Sequence, residues 1–285
     1  MASFIVPVTL SIGHFARALS NIVSPQASQS PRATTEAERV KAFINNELGA
    51  FLDQEGIRQD FEVVVAPNIA IAKVDGSNFS KGSARITIVP GFLEADREAF
   101  KWVLRHELAH IKNSDALKVP VAAATGSLLA LSFVPITSGL SLALLSFLGA
   151  FACSNLYAHH GECRADELAN KNASIDELKG GIRFLKALRN FNLFCKNHVP
   201  GADLMIDEKG DNRIDLSHPS LQSRIDKITK EIESREYLIE DELTVDDHEF
   251  VLLSQGPKLV SSNYGDEAQI RTIEETIARS FSGSM

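Results

Sequence analysis

The chain has 285 residues, a hydrophobic content of 44% and a formal net charge of −8, enough for one large domain or two small ones of ordinary globular make-up. No basic stripe stands out, which argues against a nucleic-acid partner. Its three cysteines, Cys153, Cys163 and Cys195, show no CxxC spacing and no disulfide framework, as in a reducing compartment.

Residues 1–35 carry no Asp or Glu, and Arg17 and Arg32 are their only fixed charges. The opening MASFIVPVTLSIG lacks a basic n-region and is a poor secretory signal. A transit peptide, a membrane-surface helix with Ile12, Phe15, Leu19 and Ile22 on one face, and a loosely tied leader all stay open.

From Thr35 to about Gln54, Val40, Phe43, Ile44, Leu48, Phe51 and Leu52 recur at three- and four-residue steps, which predicts a helix. The period then changes. FEVVVAP (61–67), IAIAKV (69–74) and RITIV (85–89) are short β-branched runs separated by turn-forming residues, so a sheet of about three strands is expected. A second helix follows. Asp96 can cap it, Glu98 suits its first turn, and Phe100, Val103, Leu104, Leu108 and Ile111 line one face to about Asn113.

Val119 to Ala158 contains no Asp, Glu, Lys, Arg or His, and PITSG (135–139) interrupts it. The pattern predicts two helices folded back on each other, each near the ~20 residues of a bilayer span. Small residues suit close packing in lipid. Lys112 and Lys118 flank one end, Arg164 and Lys171 the other, so both ends would face the cytosol. The competing expectation is a helical hairpin buried as core in a soluble, cytoplasmic protein.

Helical patterns resume at ECRADELANK and ELKGGIRFLKALRNF. In DLSHPSLQSRIDKITKEI, Ser217 or His218 is the expected cap, Pro219 falls in the first turn, and Leu221, Ile225, Ile228 and Ile232 share a face. From Ser234 the chain is acidic, with a short helix expected near 266–280.

Chemistry concentrates in WVLRHELAHIKNSD, residues 102–115. Helical positions i and i+4 lie about 40° apart on one face. His106 and His110 can therefore bind one ion, with Glu107 beside it to accept a proton from water that a zinc ion acidifies. Catalytic zinc takes three protein ligands and keeps one position open. Glu162, in HGECRADELA, is the candidate third ligand. Asp166, four residues on, can hold the far nitrogen of a ligand histidine. His159 and His160 are rivals to Glu162, and a solvated acidic face is the plain alternative for Glu162 and Asp166.

RITIVPGFLEADREAFKWVLRHELAHIKNSD, the apolar insert, ECRAD and LSHPSLQSRI together resemble the HtpX-like and CAAX-prenyl-protease-type zinc metallopeptidases, of the gluzincin class. The resemblance covers roughly residues 61–232 and rests on HExxH, ExxAD and a Ser/Thr-His-Pro helix start followed by Arg-Ile, in that order. It implies that His106, His110 and Glu162 bind Zn2+, that Glu107 is the general base, and that Asp166 supports a ligand ring. It also implies that Asn68, Ile69 and Ala70 open a strand against which extended substrate pairs, and that His218 donates to the oxyanion. A helix-capping role competes for His218, and Arg224 is expected in an ion pair or loop anchor. Gly161 departs from the family pattern and predicts a late start to the helix carrying Glu162.

The expected fold is α+β, mainly helical and zincin-like, with a three-stranded sheet and an apolar hairpin between the metal-binding helices. The expected organisation is a leader (1–35), a metallopeptidase domain (36–233, hairpin 119–158) and an acidic extension (234–285). The expected function is a membrane-integral zinc metalloendopeptidase acting on polypeptide, its active site on the cytosolic side. A lipid bilayer would meet the chain through 119–158. A slow or inactive membrane adaptor on the same fold is the competing class.

Overall fold

The computed structural model describes residues 31–57, 60–66, 72–75, 84–132, 139–213, 215–244 and 267–282. The leader pattern at 12–22, the turn at 135–138 and the strand opening at Asn68, Ile69 and Ala70 lie outside them.

Val40, Ile44, Leu48 and Leu52 form the expected apolar face and are all buried. They sit on two helices rather than one, α1 (Pro31–Glu47) and α2 (Gly49–Gln54). The break falls at Leu48, and Gly49, a poor helix former, opens α2. The Leu48 and Leu52 N–H groups still donate to Ile44 and Leu48 carbonyls, so the face runs through the break.

Among the described residues the sheet has three strands, β1 (Glu62–Val65), β2 (Ala72–Asp75) and β3 (Arg85–Ile88), in the order β1-β3-β2. β1 runs parallel to β3 with Val63 opposite Ile86, and β2 runs antiparallel to β3. Alternation puts Val63, Val65, Ile86 and Ile88 on the buried face. β2 is an edge strand.

After a short helix, α3 (Phe92–Ala95), Asp96 caps α4 (Arg97–Asn113). Its Oδ1 accepts from the Glu98 and Ala99 N–H groups, both at 3.0 Å. All five apolar residues expected on one face of α4 are buried, and α4 packs against β2. On its other side α7 (Ile175–His198) crosses it at two glycines. A Cβ on Gly180 would stand 2.4 Å from the Ala99 backbone nitrogen, and one on Gly181 2.7 Å from the Trp102 ring. Bare backbone at both positions lets the helices close on each other. α7 opens with a capping box between Ser174 and Glu177, and Arg105 reaches the same Glu177 carboxylate at 3.0 and 3.3 Å.

Between α4 and α7 stand α5 (Asp115–Ser132) and α6 (Gly139–Asn172). They pack closely, since a Cβ on Gly126 would lie 2.2 Å from the Gly149 carbonyl oxygen. The integral membrane placement expected here is overturned: no helix among the described residues is long and apolar enough to cross a membrane. Freedom from charge is not apolarity. The run 119–158 is diluted by Gly, Ser and Thr, and α5 begins with Asp115, Lys118 and Pro120. The pair is not buried as core either, because Leu128, Leu129, Leu144 and Leu148 are exposed. Nor does the helix carrying Glu162 start late, for α6 runs unbroken through Gly161.

The chain continues through α8 (Ala202–Met205), α9 (Leu221–Thr244) and α10 (Glu267–Ser282). Leu221, Ile225, Ile228 and Ile232 of α9 are buried as expected. The cap of α9 is Ser220 rather than Ser217 or His218, its Oγ accepting from the Ser223 N–H at 3.2 Å. α10 packs on α7 and α3 and adds Ile273 and Ile277 to the core.

Candidate metal centre

One turn of α4 separates His106 from His110, and their Nε2 atoms face each other at 3.2 Å. α6 packs against α4 and brings in Glu162. Its Oε2 lies 3.2 Å from His106 Nε2 and its Oε1 3.4 Å from His110 Nε2. Ligand atoms of these three residues all lie within 4.8 Å of one another, the only such group among the described residues. His159 and His160 are exposed and outside it.

The donor set fits a divalent cation. Two imidazole nitrogens and a carboxylate are what catalytic zinc takes, and donors on a tetrahedron of that bond length stand roughly 3.3 Å apart. Glu162 Oε2 is buried, with His106 and His218 Nε2 beside it at 3.2 and 3.3 Å; a buried carboxylate oxygen so placed needs a proton or a cation facing it.

Each ring is backed by a carboxylate. His106 Nδ1 lies 2.9 Å from Asp166 Oδ1. Asp166 is gripped in turn by Arg224, whose Nε and Nη2 donate to its two oxygens at 2.9 and 2.7 Å. Arg224 also sits over the Trp102 ring, 5.6 Å from its centroid. Trp102 stacks beside His106 and donates from Nε1 to Asn170 Oδ1 at 2.9 Å. Arg224 is thus the ion-pair partner anticipated for it. His110 Nδ1 pairs with Asp115 Oδ2 at 2.8 Å, a residue that sequence reasoning passed over. The only signal was an acid five positions after His110, just past the expected helix end.

His218 reaches the cluster from the segment before α9. Its Nε2 lies 3.3 Å from Glu162 Oε2, and its Nδ1 lies 2.7 Å from Asp215 Oδ2. The side chain is half exposed. Asp215 is a second residue missed, three positions before the histidine. Glu107, between the two α4 histidines, is half-buried and has no hydrogen bond or ion pair among the described residues.

Electrostatics follow from this packing. Burial alone would lower the His106 pKa, but the Asp166 and Glu162 carboxylates outweigh it and raise the value to about 10. Burial would raise Glu162, yet His106, His218 and His110 hold it down to about 2. Asp166 is likewise held well below the carboxylate range against its burial by Arg224 and His106. His218 is raised, desolvation being overcome by Asp215 and Glu162. The cluster is therefore a compact pocket of nitrogen and carboxylate donors, ready to exchange protons for a cation.

Comparison with known proteins gives one family. The model described as peptidase family M48 matches residues 36–232. No curated protein and no solved structure matches the chain.

Proposed function

The chain belongs to peptidase family M48, the match spanning well over half its length, and from this we propose that it is a zinc-dependent metalloendopeptidase. The observation that carries the reading is the convergence of His106, His110 and Glu162 donors at 3.2–3.4 Å, on the chain of a peptidase family.

In this reading His106, His110 and Glu162 hold Zn2+. When bound there, the ion would supply acidified water and polarisation of the scissile carbonyl. Glu107, unengaged and on the same helix, takes the proton from attacking water and returns it to the leaving amine. His218, oriented through Nδ1 by Asp215, donates from Nε2 to the developing oxyanion. Asp166 orients His106. Extended polypeptide pairs with the β2 edge and its approach at Asn68, Ile69 and Ala70. The packing of α4 against an edge strand supports this zincin-like geometry. Residues 36–233 form the catalytic unit, with 1–35 before it and 234–285 after.

The test is Glu107→Gln in purified full-length protein, with an unfolded polypeptide as substrate. Zinc content is expected to stay at one equivalent while cleavage falls on the order of 100- to 10,000-fold. Full turnover in that variant, or chelator-insensitive cleavage by the parent, overturns the assignment.

A further inference from the structure

We infer that Asp115, clamped by Arg164, is the positioning residue that sets the His110 ring for metal binding, an inference resting on the metal-centre reading above. Four independent features converge on it.

First, the backbone bends to deliver it. In an unbroken helix position 115 would lie roughly 140° around the axis from position 110, out of reach of its ring. Ser114 adopts φ 55°, ψ 40°, the one positive φ at a non-glycine residue among those described. The left-handed turn ends α4, starts α5 at Asp115 and brings the carboxylate back to His110 Nδ1. Ser114 is buried and its Oγ has no hydrogen-bond partner. A disfavoured backbone and an unsatisfied hydroxyl persist only where the surroundings over-determine them.

Second, the carboxylate is divided between two jobs. Oδ2 meets His110 Nδ1 at 2.8 Å, and Oδ1 accepts from Arg164 Nη2 at 3.2 Å. Asp115 is 8% exposed, so neither contact is a casual surface pairing.

Third, Arg164 is itself held. Its guanidinium lies over the Tyr157 ring, 5.5 Å from the centroid, and donates to the Tyr157 hydroxyl at 3.2 Å. Arg164 stands two residues after Glu162, so α6 supplies both a ligand and the clamp.

Fourth, α6 leaves room. A Cβ on Gly161 would stand 3.2 Å from Asp115 Oδ2. Gly161 is thus the residue of α6 that lies against this carboxylate.

The two rings are then treated alike. His106 is backed by Asp166 with Arg224, and His110 by Asp115 with Arg164. A carboxylate accepting from Nδ1–H fixes the tautomer, so that Nε2 offers its lone pair to the ion. The arginine fixes the carboxylate.

The experiment uses the full chain, stripped of metal and titrated with Co2+, followed by its visible d–d absorption and by Zn2+ competition. Parent, Asp115→Asn, Arg164→Gln and the exposed-site control Asp203→Asn are compared, with circular dichroism confirming folding. The parent and control are expected to take one equivalent with the same bands. Asp115→Asn is expected to bind about 10- to 100-fold more weakly with shifted bands, and Arg164→Gln to shift them in the same direction. A folded Asp115→Asn with affinity within about twofold of the parent and identical bands overturns the inference. If that variant does not fold, Arg164→Gln decides, and unchanged bands and affinity there overturn it equally. A parent that takes up neither ion removes the metal-centre reading and this inference with it, an outcome distinct from the others.

Discussion

His106 Nδ1 and Asp166 Oδ1 stand 2.9 Å apart, although they lie on α4 and α6 with the whole of α5 between them. The contact exists because α6 packs along α4, and Arg224 from α9 holds the carboxylate in place from the far side. Three helices thus meet at one imidazole.

Removing Arg224 should be costly. Asp166 and Arg224 side chains are 4% and 8% exposed, and a buried charge stripped of its partner costs about 3–5 kcal/mol. Arg224→Met is expected to lower unfolding free energy by that amount in urea titrations of metal-free protein. Adding Asp166→Asn should restore part of it. A double variant no more stable than Arg224→Met alone would show that the pair is not the origin of the loss.

Glu162→Ala is expected to empty the site of zinc, measured by elemental analysis after dialysis against a weak chelator. His160→Ala should retain a full equivalent, because His160 is exposed and outside the cluster. The reverse pattern would move the third ligand to His160.

Metal uptake should release protons. In the metal-free protein His106 is raised to about 10, so it is charged at neutral pH, whereas a ligand histidine must be neutral. Binding at pH 7–8 therefore displaces about one proton, and affinity strengthens as pH rises toward 10. Calorimetry in two buffers of different ionisation enthalpy reads the number directly. Zero release would mean that the ring is already neutral before the ion arrives.

Gly181→Val places a side chain where a Cβ would already stand 2.7 Å from the Trp102 ring. Overpacking of this kind costs about 1–3 kcal/mol, visible as a lower denaturation midpoint. Because Trp102 stacks beside His106, zinc affinity should fall as well. Unchanged stability would mean that α4 and α7 separate at no cost.

Much of the local structure was legible along the chain. The α4 face, the Asp96 cap and the α9 face lie where their periodicity and end signals place them, because each depends on residues within a few turns. Misreadings arose where a pattern has more than one physical meaning. An uncharged run looked like a membrane span, yet among the described residues no helix is long and apolar enough for one. Gly161 looked like a helix start, yet it sits inside α6 against Asp115. Ser217 and His218 looked like caps, but Ser220 takes that role and leaves the histidine ring at Glu162.

The sequence by itself determined that His106, Glu107 and His110 share one helix and that an acidic helix returns after the insert, since spacing alone dictates helical geometry. Only the tertiary structure decided that Glu162 rather than His159 or His160 meets the imidazoles, and that Asp115 and Asp215 back two of the rings. Those outcomes turn on how α6 packs along α4, on a left-handed residue at 114 and on the path of the chain before α9. Contacts between distant segments are set by packing and backbone direction, which no local spacing encodes.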